Sequence, residues 1–174
     1  MAWSDIEVVR AQLLRNDIHF SEVVYRCSFG FPAVIKSFPG KNGKPFPTLY
    51  WLTCPHLRKE VARLEEKGWI RKFEEMIQKD GDFKDRLFKA HEEIIKRRSE
   101  MIKDDSIRRL LGGVGSGGLR DFTKVKCLHL HLADFLAGVD NPVGEKVWKM
   151  IEKKECDDGV YCRKWLKDRK VLGR

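Results

Sequence analysis

The distribution of β-forming and helical patterns along the chain most constrains its fold. Three short stretches rich in β-forming residues, 22–27, 33–38 and 48–53, lie in the first third of the 174 residues. Turn residues separate them, including an Asn-Gly pair at 42–43 that is typical of tight hairpins. From Pro55 onward, apolar residues recur at helical spacing instead. The sequence therefore predicts an α+β fold in which a small three-stranded antiparallel sheet packs with about six or seven helices, which dominate the structure.

The chain is predicted to form a single domain over residues 1–174. This length suffices for one hydrophobic core, and neither an internal repeat nor a low-complexity linker divides the sequence. Asp82 is predicted to cap a long helix that carries His91 on its apolar side, which is typical of a core histidine. Asp121 or Thr123 is predicted to begin a later helix that runs through Cys127.

The charge composition favours an anionic partner. Lys and Arg outnumber Asp and Glu by 35 to 26, which gives a formal net charge of +9. Such a balance favours polyanions, here RNA, polyphosphate or a phosphorylated ligand, and a general solubility charge fits equally well. Charged residues make up 35% of the chain, which suits a thermophilic protein and also a very soluble mesophilic one.

The sequence contains neither a run of about 18 apolar residues nor a secretion signal. We therefore expect a cytoplasmic protein without a membrane span. In that compartment its five cysteines are expected to be free, metal-bound or reactive rather than paired in disulfides.

Three cysteines stand at the ends of predicted elements, where they can converge on a soft metal. Cys27 and Cys54 each follow a predicted strand, and Cys127 falls in the first turns of the later helix. The helix start after Cys54 is predicted to lower the pKa of that thiol. The alternative is that all three are small buried apolar residues. Cys156 and Cys162, near the C-terminus, are interpreted as peripheral.

The helix that contains Cys127 also carries two histidines. Cys127, His131 and Asp134 are spaced at i, i+4 and i+7, which places them on one face of a helix, whereas His129 points away. A cysteine and a histidine one turn apart can chelate a metal. Either histidine can instead cap a backbone carbonyl.

A glycine-rich segment precedes this helix and suggests an anion site. Successive backbone N–H groups before a helix start can cradle an anion, and basic side chains follow closely. A mobile hinge or lid is the alternative. The predicted anion-binding residues are Gly113, Gly115, Ser116, Gly117, Gly118, Arg120 and Lys126.

The strings at residues 46–55 (FPTLYWLTCP), 125–129 (VKCLH) and 141–144 (NPVG) resemble the bacterial family called domain of unknown function 501. The resemblance covers about residues 25–144, which leaves 145–174 as a C-terminal helical extension. The family has no established function. The resemblance implies that Cys27, Cys54 and Cys127 belong to shared motifs, and it selects His129 rather than His131.

Some relatives resemble this chain but carry a second cysteine just after the Cys27 position and a histidine at the position of Asp134. Here Phe29 and Asp134 stand at those positions. The resemblance therefore implies a [4Fe–4S] cluster held by three thiolates, or a zinc site with three cysteines and one histidine.

Two functions follow as hypotheses. The first is a metal or iron–sulfur protein that uses Cys27, Cys54 and Cys127, with either a catalytic or a structural role for the metal. The second is a module that binds a polyanion such as RNA or polyphosphate without catalysis.

Overall fold

The computed structural model describes residues 3–172, with side chains described through residue 168. Within this range, one α-helix is followed by five short strands and then by seven further α-helices. They are α1 (Asp5–Leu13), β1 (Phe20–Arg26), β2 (Pro32–Ser37), β3 (Gly40–Lys41), β4 (Lys44–Pro45), β5 (Tyr50–Leu52), α2 (Pro55–Glu66), α3 (Trp69–Lys79), α4 (Gly81–Ser99), α5 (Asp105–Leu111), α6 (Leu128–Leu136), α7 (Pro142–Met150) and α8 (Val160–Leu172). The prediction of a helix-dominated α+β fold is confirmed.

The sheet is antiparallel, with strand order β1-β2-β5. Ile35 of β2 lies opposite Val23 of β1 and Trp51 of β5. Strands β3 and β4 form a separate two-stranded hairpin at the predicted Asn-Gly pair. Asn42 and Gly43 have φ values of 53° and 73°, the left-handed conformation that a tight hairpin turn requires.

The main core lies between the sheet and helices α2, α3, α4, α6 and α7. Leu128 and Leu132 of α6 are completely buried, as are Val143 and Val147 of α7. The two helices approach closely because Gly144 has no side chain: a Cβ there would collide with the backbone carbonyl of the residue at position 131. This contact fixes the position of α6, which carries the candidate functional residues.

Two predicted helix starts are wrong. Helix α4 begins at Gly81 because the Asp80 side chain, not that of Asp82, accepts a hydrogen bond from Phe83 N at 3.1 Å. Helix α6 begins only at Leu128. The Asp121 carboxylate bonds both the backbone N and the hydroxyl of Thr123, at 2.9 and 2.6 Å, which favours a local turn over a helix there.

The first and last helices pack against each other. Val8 and Ala11 of α1 form a small apolar cluster with Leu166 of α8. The segment after α7 therefore returns to the first helix, beside the end of β1. Among the described helices, none is both long and apolar enough to cross a membrane.

Candidate functional site

Cys127 does not lie on the helix face that the sequence suggests. It is the N-cap of α6, in extended conformation with φ −160° and ψ 156°. The predicted one-turn spacing from Cys127 to His131 therefore does not exist in the structure. The thiol lies instead beside the first turn of α6, where the side chains of α2 approach.

Cys127 and His129 form a compact group with Glu65, which lies near the end of α2. One ligand atom from each residue, the cysteine sulfur, a ring nitrogen and a carboxylate oxygen, lies within 4.8 Å of the others. Among the described residues, this is the one such group of three or more potential metal ligands. The group is partly open, since the side chains of His129 and Glu65 are 30% and 23% exposed.

The partners of His129 define the direction of its ring. Nε2 lies 3.1 Å from the backbone carbonyl of Arg58, and Nδ1 lies 3.1 Å from Oε1 of Glu65. Both partners are hydrogen-bond acceptors, but a neutral imidazole has only one N–H. With the proton on Nε2 bonded to the carbonyl, Nδ1 directs a lone pair at a carboxylate. The lone pair and the carboxylate repel each other. Either a second proton on the ring or a cation between Nδ1 and Glu65 removes this repulsion.

Glu65 also fixes the start of α6. Its Oε1 accepts a hydrogen bond from the backbone N of Leu128 at 2.7 Å. The carboxylate thus satisfies one of the free N–H groups at the helix start, where negative charge is favoured. No sequence motif indicates this contact, because 62 residues separate position 65 from Cys127 and only the packing of α2 on α6 joins them.

His131 is excluded as a partner of Cys127. It is completely buried, and its Nδ1 lies 2.9 Å from Nδ2 of Asn141. Because Oδ1 of Asn141 accepts a hydrogen bond from Gly144 N, the amide must present its NH₂ group to the histidine. Nδ1 is therefore an acceptor and Nε2 holds the proton, so this ring has no lone pair free to bind a metal. The structure therefore does not bring His131 together with the other predicted metal ligands.

The inner face of α6 forms a buried polar cluster around His131 and Asp134. The hydroxyl of Ser116 donates to Oδ2 of Asp134 at 2.5 Å, and the backbone N of Ser116 donates to Nδ1 of His91 at 3.1 Å. Burial raises the pKa of Asp134 to about 7. It lowers the pKa of His91 to about 4 and that of His131 to about 3. Both histidines are therefore neutral core residues, as the sequence suggests for His91.

A cavity of about 310 Å³ adjoins Cys127 and His129. Arg58 and Lys126 line it, together with the ring of Trp51. The indole Nε1 of Trp51 is buried and has no hydrogen-bond partner among the described residues. Two cationic side chains at the wall of this cavity favour an anionic ligand.

The other two predicted cysteine ligands lie elsewhere. Cys27 and Cys54 line a separate cavity of about 250 Å³, together with Cys156 and Cys162. Among the described residues, Cys27, Cys54 and Cys127 do not form a compact group of metal ligands. The interpretation of Cys156 and Cys162 as peripheral is also wrong, because the segment after α7 carries them to the same cavity as Cys54.

The prediction of a lowered pKa for Cys54 is wrong as well. Cys54 is the N-cap of α2, as predicted, but burial raises the pKa of its thiol to about 11. The backbone N–H groups of Leu57 and His56 at the helix start oppose this only in part. Burial likewise raises the pKa of Cys127, and it raises that of Cys162 to about 11. In this chain, loss of solvation outweighs the helix dipole.

The glycine run does not form the predicted anion cradle. Gly115, Ser116 and Gly117 are buried. Gly115 N donates to the Leu119 carbonyl at 2.7 Å and Gly118 N to the Gly115 carbonyl at 3.2 Å, while Ser116 N is bonded to a histidine ring as described above. These donors are therefore occupied within the protein.

Buried Arg98 explains why this run packs as core. Its guanidinium, 1% exposed, donates to the carbonyls of Pro47 at 2.8 Å, Leu111 at 2.7 Å and Gly115 at 3.1 Å. Of the predicted anion-binding residues, Gly113 and Arg120 are exposed on the surface. The ammonium group of Lys126 donates a hydrogen bond to the Gly117 carbonyl at 3.0 Å. Of the predicted anion-binding residues, Gly117 and Lys126 line the cavity beside Cys127.

Comparison with known proteins identifies one family. The sequence model of the family described as "Protein of unknown function (DUF501)" matches residues 23–149, which is more than half of the chain. The matched segment includes Glu65, Cys127 and His129, and it ends before Cys156. No curated protein and no solved structure matches the chain.

Proposed function

This chain belongs to the DUF501 family of proteins of unknown function, and we propose that it binds a divalent transition metal, zinc above others, through Glu65, Cys127 and His129. Thiolate, imidazole and carboxylate are the three ligand types that zinc takes in proteins. A soft thiolate beside an imidazole also favours zinc over magnesium or calcium, which prefer oxygen ligands alone.

The orientation of His129 carries the proposal. Its Nε2 faces a backbone carbonyl, an arrangement that holds a metal-binding histidine with its other nitrogen toward the ion. That other nitrogen, Nδ1, lies 3.1 Å from Glu65, a separation that two zinc ligands share, since each lies about 2.0–2.2 Å from the ion. A bound cation converts the repulsion between lone pair and carboxylate into two coordination bonds.

Three protein ligands leave one tetrahedral position of zinc open. The ligands Cys127 and His129 border the cavity lined by Arg58 and Lys126, so the open position faces a basic pocket. A ligand with a negatively charged oxygen can bind the ion there and pair with both basic side chains. We therefore infer a small anionic ligand rather than a polymer, because the cavity of about 310 Å³ suits a small molecule.

Binding of RNA or polyphosphate remains the second hypothesis, and the net charge of +9 is its support. Affinity that falls steeply with salt concentration supports it, because bound Lys and Arg residues displace counterions from the polymer. Absence of binding at about 50 mM salt contradicts it.

Metal analysis of the purified full-length chain tests the zinc proposal. We expect one zinc per chain, and cobalt substitution should give the strong near-ultraviolet band of a thiolate-to-cobalt charge transfer. Cys127→Ser should abolish that band, and Glu65→Gln and His129→Gln should each weaken zinc affinity by about 10-fold or more. Glu66→Gln is the matched control, because Glu66 is an exposed carboxylate beside Glu65 on α2.

Two results contradict the proposal. One is a chain that binds no zinc or cobalt after dialysis against either ion. The other is zinc that binds as tightly in Cys127→Ser and His129→Gln as in the unaltered chain, which places the metal elsewhere.

A further inference from the structure

The second cavity is lined by four cysteines that come from four different segments. Cys27 directly follows β1, Cys54 precedes α2, Cys156 lies between α7 and α8, and Cys162 lies in the first turn of α8. The cavity has a volume of about 250 Å³. Four of the five cysteines of the chain thus meet around one space, although 135 residues separate the first from the last.

The cavity wall is mainly apolar and aromatic. The rings of Tyr25, Phe29, Phe31 and Trp148 border it. Such walls exclude water and suit a soft, sulfur-ligated group better than a hydrated ion. The N-terminus of α2 after Cys54 is a source of positive potential beside the thiols. Lys154 and Glu155 also line the cavity, and the ammonium group of Lys154 is bonded to the carbonyls of Trp148 and Ile151 at 3.0 and 2.6 Å.

Gln12 donates a hydrogen bond to one of the four cysteines. Its side chain is 1% exposed, and its Nε2 donates to the Pro32 carbonyl at 2.7 Å and to the sulfur of Cys162 at 3.3 Å. An N–H group that donates to a cysteine sulfur is a feature that tunes sulfur ligands of iron–sulfur centres.

Glu155 holds two of the thiol-bearing segments together. Its carboxylate accepts a hydrogen bond from the backbone N of Ser28 at 2.6 Å and another from the Ser28 hydroxyl. Ser28 is adjacent to Cys27, and Glu155 is adjacent to Cys156. These bonds fix the separation of two cysteines that no secondary-structure element joins.

The spacing of the thiols is too wide for a single zinc ion. Zinc–sulfur bonds of about 2.3 Å in a tetrahedron place the sulfurs about 3.8 Å apart. Among the described residues, no three of these four sulfurs lie within 4.8 Å of one another. A multi-iron cluster holds its cysteine sulfurs farther apart, because each thiolate binds a different iron atom.

We propose that Cys27, Cys54, Cys156 and Cys162 ligate a [4Fe–4S] cluster in this cavity. Two ferric ions, two ferrous ions and four sulfides combine with four thiolates, and each thiol releases one proton, so that assembly requires no oxidant or reductant. This ligand set replaces Cys127 of the predicted set with two cysteines from the end of the chain. It is independent of the zinc proposal, since the two sites share no residue.

Anaerobic reconstitution of the full-length chain tests the cluster. Equal amounts of ferric and ferrous iron are added with sulfide, and bound iron, acid-labile sulfide and visible absorption are measured after desalting. We expect about four iron and four sulfide per chain and the broad charge-transfer absorption of an iron–sulfur protein. Cys27→Ser and Cys54→Ser should each lose most of the iron, whereas Cys127→Ser, the matched control, should retain it.

A second measurement covers variants that fail to fold. The unaltered chain is treated with an alkylating reagent before and after reconstitution, and the modified cysteines are located by mass spectrometry. Cluster binding should protect Cys27, Cys54 and Cys156, and an iron chelator should restore their labelling. A chain without iron, a chain that binds zinc alone in this cavity, or a disulfide between these cysteines with no iron uptake overturns the proposal.

Discussion

His129 and His131 are two residues apart on α6, yet their surroundings give them opposite chemistry. Nε2 of His129 faces a carbonyl acceptor, and Nδ1 faces Glu65, so Nδ1 can bind a metal when the proton is on Nε2. Nδ1 of His131 meets the amide N–H of Asn141, so its Nε2 keeps the proton. The comparison shows that the hydrogen-bond partner of one ring nitrogen decides whether the other ring nitrogen can bind a metal.

The two faces of α6 differ in solvation as well. The outer face, with Cys127 and His129, opens onto a basic cavity, whereas the inner face buries His131 and Asp134 completely or nearly so. A charged ligand or ion is therefore accommodated on the outer face, while the inner face favours neutral groups. Three predictions test this contrast, beginning with the largest expected effect.

Asp134→Asn should change the pH dependence of stability most. Because burial raises the folded-state pKa of Asp134 from 3.8 to about 7, its contribution to the free energy of unfolding is largest at low pH and falls as pH rises from about 4 to about 7. Asn cannot ionise, so the variant should gain stability relative to the unaltered chain over this window, by on the order of 4 kcal/mol.

Urea unfolding at pH 4.5, 6 and 8 measures this change. Protonation of the buried histidines lowers the free energy of unfolding toward acid pH in both chains. Their contribution therefore cancels in the difference between variant and unaltered chain. Asp105→Asn is the control, since its carboxylate is 84% exposed, and it should follow the unaltered chain within about 0.5 kcal/mol. If the stability of Asp134→Asn and that of the unaltered chain depend on pH in the same way, the Asp134 carboxyl is ionised throughout this range. That result would contradict the view that the inner face favours neutral groups.

Gly115→Ala should have the next largest effect, because the glycine run packs against the inner face. A Cβ at position 115 would collide with the ring of His91 and would lie 2.7 Å from Phe122. We expect a loss of about 1–3 kcal/mol from overpacking. At Gly113 nothing lies within 4 Å of a Cβ, so Gly113→Ala is a matched control from the same run. Thermal unfolding of both variants measures the difference, and equal stabilities would contradict a buried, closely packed run.

His129→Gln should have the smallest effect on the stability of the metal-free chain. The side chain is 30% exposed, and its bond to Glu65 contributes little beyond about 1 kcal/mol at such a site. The same variant should nevertheless reduce the stabilisation that zinc provides, because its affinity for zinc is lower. Melting temperatures with and without zinc separate the two effects. A loss of several kcal/mol without zinc would instead assign His129 a structural role.

Much of the fold follows from local sequence. The Asn-Gly pair, the β-rich stretches and the proline after Cys54 correctly indicate the hairpin, the sheet and the start of α2, because backbone preferences act over a few residues. The predicted start of α6 was wrong because two local preferences compete before Leu128. The turn made by the Asp121 side chain interrupts an otherwise helical pattern.

From the sequence, only the family resemblance pointed to His129 beside Cys127, whereas helix spacing pointed to His131. The sequence by itself determined the helix-dominated α+β class and the family. Only the tertiary structure added Glu65, separated Cys27 and Cys54 from Cys127, and brought Cys156 and Cys162 beside them. The reason is physical: local periodicity fixes which residues share an element, whereas ligand groups and pKa values depend on burial and on contacts between segments distant in the chain.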